Sequence, residues 1–422
     1  MEKKVIADNN VPIFYYENEA LHRFCLTLYV KAGILYEANN ETGITHCWEH
    51  MIFRNINRVL NGKMKQRLDK MGAYFNGCTF KEFVEIKIID AKEHFSECAD
   101  IMAKVFEKID ISKDDYNIEC KRIKSEIRED DEKKSIDYMA QKTVWKDTCL
   151  EKSIAGKKST LANVTLERVR EYAKEILTAN NIFVYVTGAV NDENIAELSE
   201  KIGCYRLREG EQLKDNKAPV PKNFYHRDGK VKIKKGDYCS IRYSFDYDAT
   251  NISKAHIDLL YDILFDGECS KIHEELSEKT GYVYSYSSAI EQYSNIGNMY
   301  FSYEIDEKNL LKSIERVVKL LKKLKKGIGE ELQFVKPNYV DNGDMDLDEP
   351  EKLNWIMGYE GHILEQGFSD IASRKELYNK VTCEDITRLA NEIFQLDNLV
   401  VSIKVNKLDI KNKEIKKILA KL

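Results

Sequence analysis

The sequence predicts an α+β protein built by duplication, two similar halves joined near the middle. Three observations lead there. At 422 residues, 43% hydrophobic and 32% charged, the chain can bury large cores and has room for two or three domains. The stretch from Arg206 to Lys230 is polar and charged and holds Pro219 and Pro221, two of only five prolines. That reads as a linker over 211–230, with domains over 1–210 and 231–422. Both halves then follow one plan: strands, a helix, a second helix, a hairpin, further helices.

Element by element the echo persists. Phe24 to Val30 is an apolar strand leading into a helix around His46–His50, and Lys65 to Tyr74 reads as the next helix and turn. In the second half, Cys239 to Tyr247 alternates as a strand and leads into a helix over Lys254–Phe265. Ile272 to Tyr282 then repeats the helix and turn.

The chemistry concentrates in the first half. His46-Cys47-Trp48-Glu49-His50 reads H-x-x-E-H. On a helix, His46 and His50 stand one turn apart on one face and can grip one metal ion. Glu49 shares that face, so its carboxylate can reach a water at the metal. Catalytic zinc takes three protein ligands and keeps its fourth position open. Downstream, Glu119 and Glu126 are seven residues apart, which sets them on one face of a helix. The helix expected at the matching place in the second half carries only His256, so one metal site is expected, in the first half.

Here the chain resembles the pitrilysin/insulinase (inverzincin) family of zinc metallopeptidases. The likeness is carried by Gly43 to Phe53, by Leu68 to Thr79, by Asn180 to Val190 and by the E-x6-E spacing of Glu119 and Glu126. The resemblance implies one Zn2+ per chain, with Glu126, 76 residues after His50, as third ligand. It makes Glu119 the acid behind the ligands and Glu49 the general base. It implies two homologous α/β-roll domains of ferredoxin-like repeats, mostly antiparallel sheets with helices on one face, forming half of a clamshell. An edge strand with Asn76, Gly77, Cys78 and Thr79 would bind the peptide substrate by β-augmentation.

The family's second half usually carries an Arg and a Tyr seven apart that hold the substrate. Tyr284 matches the Tyr, but Ser277 stands where the Arg belongs, and a hydroxyl lacks the guanidinium's fixed positive fork. In short members of the family two chains meet and can divide these roles. The expectation is a zinc metalloendopeptidase subunit with a homologous metal-free partner, a heterodimer acting on a ribosomally made peptide precursor. Two alternatives stand beside it: a self-sufficient homodimer in which Lys279 or another cation replaces the Arg, and a non-catalytic assembly subunit.

Other features bound the reading. A net charge of −5 gives no reason to expect nucleic-acid binding. The N-terminus lacks an apolar signal segment, and no apolar run approaches the ~20 residues of a membrane span. Ten cysteines are scattered without C-x-x-C pairs, which suits a reduced, cytoplasmic protein. Cys47 and Cys78 are expected in the cleft but without a catalytic role. Lys319 to Lys326 reads as a solvated basic helix end, and Asp341 to Glu351 as an acidic surface loop.

Overall fold

A computed structural model of the chain describes residues 1–127, 133–208, 217–406 and 412–422. Residues 211–216 of the expected linker lie outside the described residues. The chain divides into two compact units that interleave in sequence. Within the described residues, the first comprises 1–127, 152–208 and 344–371, and the second 133–151, 217–343, 372–406 and 412–422.

The first unit is built on a six-stranded sheet of β1 (Lys3–Ile6), β2 (Pro12–Glu17), β3 (Arg23–Val30), β4 (Tyr74–Thr79), β5 (Val84–Ala91) and β6 (Ile182–Gly188). Their order is β1-β2-β6-β3-β5-β4, and only β2 and β6 run parallel. Strand β3 is central and buried from Phe24 to Val30, which is why its sequence is a continuous apolar run rather than an alternation. Strand β4 forms the free edge, paired only to β5, with Thr79 opposite Val84.

Alternation along β3 sends Phe24, Leu26 and Leu28 to one face and Tyr29 to the other. The first face is covered by α1 (Ile44–Val59), α2 (Met64–Met71), α3 (Phe95–Ala103) and α4 (Lys113–Glu126), with further helices over Leu166–Ile176 and Asp192–Gly203. Trp48, Met51 and Ile52 of α1 are fully buried there against Ile86 and Ile88 of β5.

Helices on one face do not leave the other open to solvent. Instead Leu353, Ile356, Met357 and Ile363, from the late segment 344–371, pack over Tyr29, Phe83, Phe183 and Tyr185. Buried Asn354 ties this segment down, donating to the Tyr185 carbonyl (2.9 Å) and accepting from the Tyr29 hydroxyl (3.0 Å). Asp341 to Glu351 is accordingly more than a surface loop. It holds a 3-10 turn over Gly343–Asp348 and the start of a helix over Pro350–Trp355, and the buried Pro350 accepts from Thr187 at 2.6 Å.

The second unit repeats the plan with β7 (Lys230–Lys235), β8 (Ser240–Asp248), β9 (Tyr286–Gln292), β10 (Ile296–Glu304) and β11 (Leu399–Val405) in the order β7-β11-β8-β10-β9. Only β7 and β11 are parallel. Helices Lys254–Phe265, Leu310–Lys326 and Cys383–Ile393 contribute to one core, while Ile136–Val144, from the exchanged segment 133–151, packs against β8 and β11. The described part of the expected linker is folded into this unit. Arg227, 2% exposed, donates to Asp246 (2.7 Å) and to the Val144 carbonyl (2.9 Å). A buried, paired arginine anchors backbone that composition alone marks as loose. Among the described residues no helix is long and apolar enough to cross a membrane.

Candidate zinc centre

Helix α1 is started by Gly43, whose φ of 98° suits glycine and where a Cβ would lie 2.7 Å from the Ala155 carbonyl. The Glu37 carboxylate accepts from the Gly43 and Thr45 amides, at 2.8 and 3.0 Å, so the first turn that carries His46 is satisfied. Cys47, Trp48, Met51 and Ile52 form its buried side. Cys47 therefore points into the core, not into the cleft, while Cys78 is half-buried on β4. Helix α4 starts at Ser112, which accepts from the Asp115 amide at 3.1 Å, and ends at Glu126.

These two helices bring His46, His50 and Glu126 together, their potential ligand atoms all within 4.8 Å of one another. His46 Nε2 and His50 Nε2 lie 3.6 and 3.3 Å from the same oxygen, Glu126 Oε2. Ligands about 2.0–2.1 Å from a tetrahedral zinc stand about 3.3–3.4 Å apart, so the donor set and its spacing fit this ion. Burial, then the neighbouring His50, lowers the His46 pKa to about 4, so its imidazole is neutral with a lone pair free at neutral pH.

Behind the trio, Glu119 is almost fully buried. Its Oε2 lies 3.5 Å from His50 Nδ1, and its Oε1 is held by Arg122 (2.9 Å) and Arg54 (3.4 Å). Glu119 thus faces His50 rather than His46, whose Nδ1 is buried without a hydrogen-bond partner among the described residues. The two arginines offset the buried carboxylate's charge. Sequence reasoning missed them, although Arg54 sits one turn past His50 and Arg122 three residues past Glu119.

Glu49 shares a cavity of about 470 Å³ with His50, Asn76 and Glu119. Burial raises its pKa, while a hydrogen bond from the Thr79 hydroxyl (2.6 Å to Oε2) opposes that rise. Thr79, expected as a substrate contact, therefore also fixes the rotamer of the candidate base. Gly77 passes so close to α1 that a Cβ would meet Phe53 at 2.7 Å and Glu49 at 3.1 Å. Asn76 lies on the exposed side of β4, donating to the Tyr74 hydroxyl at 3.0 Å. Tyr284 belongs to the second unit and is fully exposed. Ser277 lies in a π-helical turn, Glu274–Glu278. Lys279 is engaged by Glu274 (2.7 Å) and Glu275 (2.5 Å).

Comparison with known proteins now bears on this arrangement. Residues 14–158 match the family described as Insulinase (Peptidase family M16), and residues 163–333 match the Peptidase M16 inactive domain. The chain is 25% identical over 312 residues to an "uncharacterized zinc protease" of Rickettsia felis, covering 72% of this chain and 74% of that one. It is 23% identical over 180 residues to a probable mitochondrial-processing peptidase subunit beta of Arabidopsis thaliana, covering 42% of this chain and 33% of that one. Among solved structures, a protease from Helicobacter pylori superposes with a TM-score of 0.84 at 17% identity, covering 96% of this chain and 99% of the other. An M16 inactive domain from Pseudomonas fluorescens gives 0.81 at 15% identity, covering 97% and 99%. With two matches to one family spanning most of its length and the two-domain α+β fold in common, the chain belongs to the insulinase family of peptidases, M16.

Proposed function

We propose that this chain is the zinc-bearing subunit of a metalloendopeptidase that works with a homologous, metal-free partner. The observation that carries the reading is the convergence of His46, His50 and Glu126 on one point beside a half-buried carboxylate, Glu49. A non-catalytic scaffold needs neither. When bound, zinc supplies Lewis acidity that makes water a nucleophile at neutral pH. His46, His50 and Glu126 hold the ion, and Glu119 orients His50. Glu49 accepts the proton of the attacking water and passes it to the departing amine; its raised pKa suits both transfers. Thr79 keeps Glu49 aimed, and the free edge of β4 offers main-chain groups to an extended peptide.

The partner follows from Ser277 and Lys279. The matching position lacks a guanidinium, and Lys279, the cation that the homodimer reading names beside any other, is already paired with two glutamates. A relative named subunit beta is in keeping with a divided enzyme. We place the protein in the cytoplasm, a reducing compartment that suits its ten free thiols, and take a ribosomally made peptide precursor as substrate. The test compares wild type with Glu49→Gln at equal zinc content on quenched-fluorescent peptides. Turnover should require the partner and fall at least ~10²-fold in the variant. Equal rates for the two proteins would remove Glu49 as base, and robust turnover by the single chain would remove the partner.

A further inference from the structure

A concavity of about 860 Å³ lies outside the zinc-bearing unit, on the second unit beside the helix Leu310–Lys326. Its lining includes nine lysines and arginines against three glutamates, in a chain whose net charge is −5. Three of the cations are neutralised locally. Lys271 pairs with Glu274 (3.3 Å), Lys279 with Glu274 and Glu275, and Arg316 with Glu275 (3.1 Å). The other six, Lys312, Lys319, Lys322, Lys323, Lys326 and Lys421, are exposed; Lys323 acts on Glu331 and Glu315 stands near Lys312 and Lys319, but six cations outnumber these two acids. Attraction to the helix C-terminus accounts for Lys322, Lys323 and Lys326 but not for Lys312, Lys319 or Lys421. Lys319, Lys322, Lys323 and Lys326 stand three or four apart on the helix and repel, a cost that Glu315 and Glu331 offset only in part.

We infer that this groove docks an acidic segment of a partner polypeptide that carries apolar side chains among its carboxylates. The charge pattern selects an anion, and the floor selects which kind. The half-buried Tyr282 ring lies between the lysines, flanked by the small exposed parts of Leu320 and Ile418, and phosphate chains have nothing to place on it. A membrane surface fits poorly, because Ile314, Val317, Leu321 and Leu324 of the helix are buried in the core and leave no apolar face to insert. Nucleic acid fits poorly too: the six cations are all lysines, and the groove's one arginine is held by Glu275. Docking here is independent of the peptidase reading and should survive removal of metal.

The experiment measures fluorescence anisotropy of labelled twelve-residue peptides with the full chain, metal-stripped, at two salt concentrations. A peptide of glutamates with leucine at every third position should bind, and weaken several-fold from 50 to 200 mM salt. Lys319→Glu/Lys323→Glu should weaken it at least ~10-fold, with the circular-dichroism melt checking the fold. If that variant unfolds, Lys319→Gln/Lys323→Gln reads the same contact with a smaller loss. A glutamine–leucine peptide that binds equally well, or an affinity untouched by both variants, would overturn the inference. So would equal binding of a glutamate–serine peptide or of inorganic polyphosphate, or lysine-dependent capture by phosphatidylserine vesicles without peptide binding.

Discussion

The two units run through the same strand path, β2-β6-β3-β5-β4 in the first and β7-β11-β8-β10-β9 in the second, with the one parallel pair in the same place. What differs is the helix that follows the central strand. In α1, His46 and His50 sit four residues apart and face Glu126 with their Nε2 atoms. In the helix Lys254–Phe265, Asp258 and Asp262 sit four residues apart, and each is already occupied. Lys254 (2.8 Å) and the Tyr378 hydroxyl (2.6 Å) hold Asp258, and the Tyr339 hydroxyl (2.7 Å) holds Asp262. The difference teaches that this fold supplies a helix pair and a free edge strand, while a few side chains decide whether the place becomes a metal centre or a polar strut.

Four substitutions probe that difference, from the largest effect down. Gly77→Val would drive a side chain into Phe53 and Glu49, so turnover should fall about 10²-fold with zinc retained. Peptide-cleavage rates beside metal analysis check this; unchanged turnover would mean that β4 does not approach Glu49 closely. Thr79→Val should cost about 10-fold in kcat. The Thr79 hydrogen bond lowers the Glu49 pKa, so its loss raises that pKa and moves the acidic limb of the rate–pH profile to higher pH. A limb that stays in place would place Thr79 outside the base's control.

The third substitution tests the second unit's strut. Burial pushes Asp262 up to about 7, above its unfolded value. Its contribution to stability is therefore full below about pH 4 and lost as pH rises through about 7. Asp262→Asn should raise Tm by about 2–6 °C at pH 8 and by little at pH 4, as calorimetry at the two pH values would show. The smallest effect belongs to Ser277→Arg, expected to change heterodimer turnover by less than about twofold, because this chain's clamp position would face a metal-free site. A large gain in steady-state kcat/KM would put the missing arginine on the productive side.

Much of this was legible in the sequence because local rules govern it. Phe24 to Val30 and Cys239 to Tyr247 are apolar or alternating enough to be read as strands, and they are β3 and β8 nearly to the residue. His46 and His50 announce themselves by helical spacing, while Glu126 is picked out as third ligand only by the resemblance to the insulinase family. The exchanged segments were not legible. Nothing in the periodicity of 344–371 says that Leu353 and Met357 will cover Tyr29 and Tyr185, because that choice is made by the sheet's second face. The same holds for Arg227, whose charge reads as surface until Asp246 is brought to it. The resemblance makes Thr79 a substrate contact, but its hydrogen bond to Glu49 across the helix–strand gap, a proximity set by Gly77, was not legible.

The central claim, one zinc in the first unit and none in the second, is tested most directly by metal content of the purified chain after loading and dialysis. Wild type should retain one zinc per chain, and His256→Ala/His273→Ala should retain the same, since those side chains face Ser253 and Glu278. His46→Ala/His50→Ala should retain less than about a tenth with its circular dichroism unchanged, because the core of α1 is made by Trp48, Met51 and Ile52. Full zinc in the His46→Ala/His50→Ala protein, or its loss from the His256→Ala/His273→Ala protein, would contradict the account.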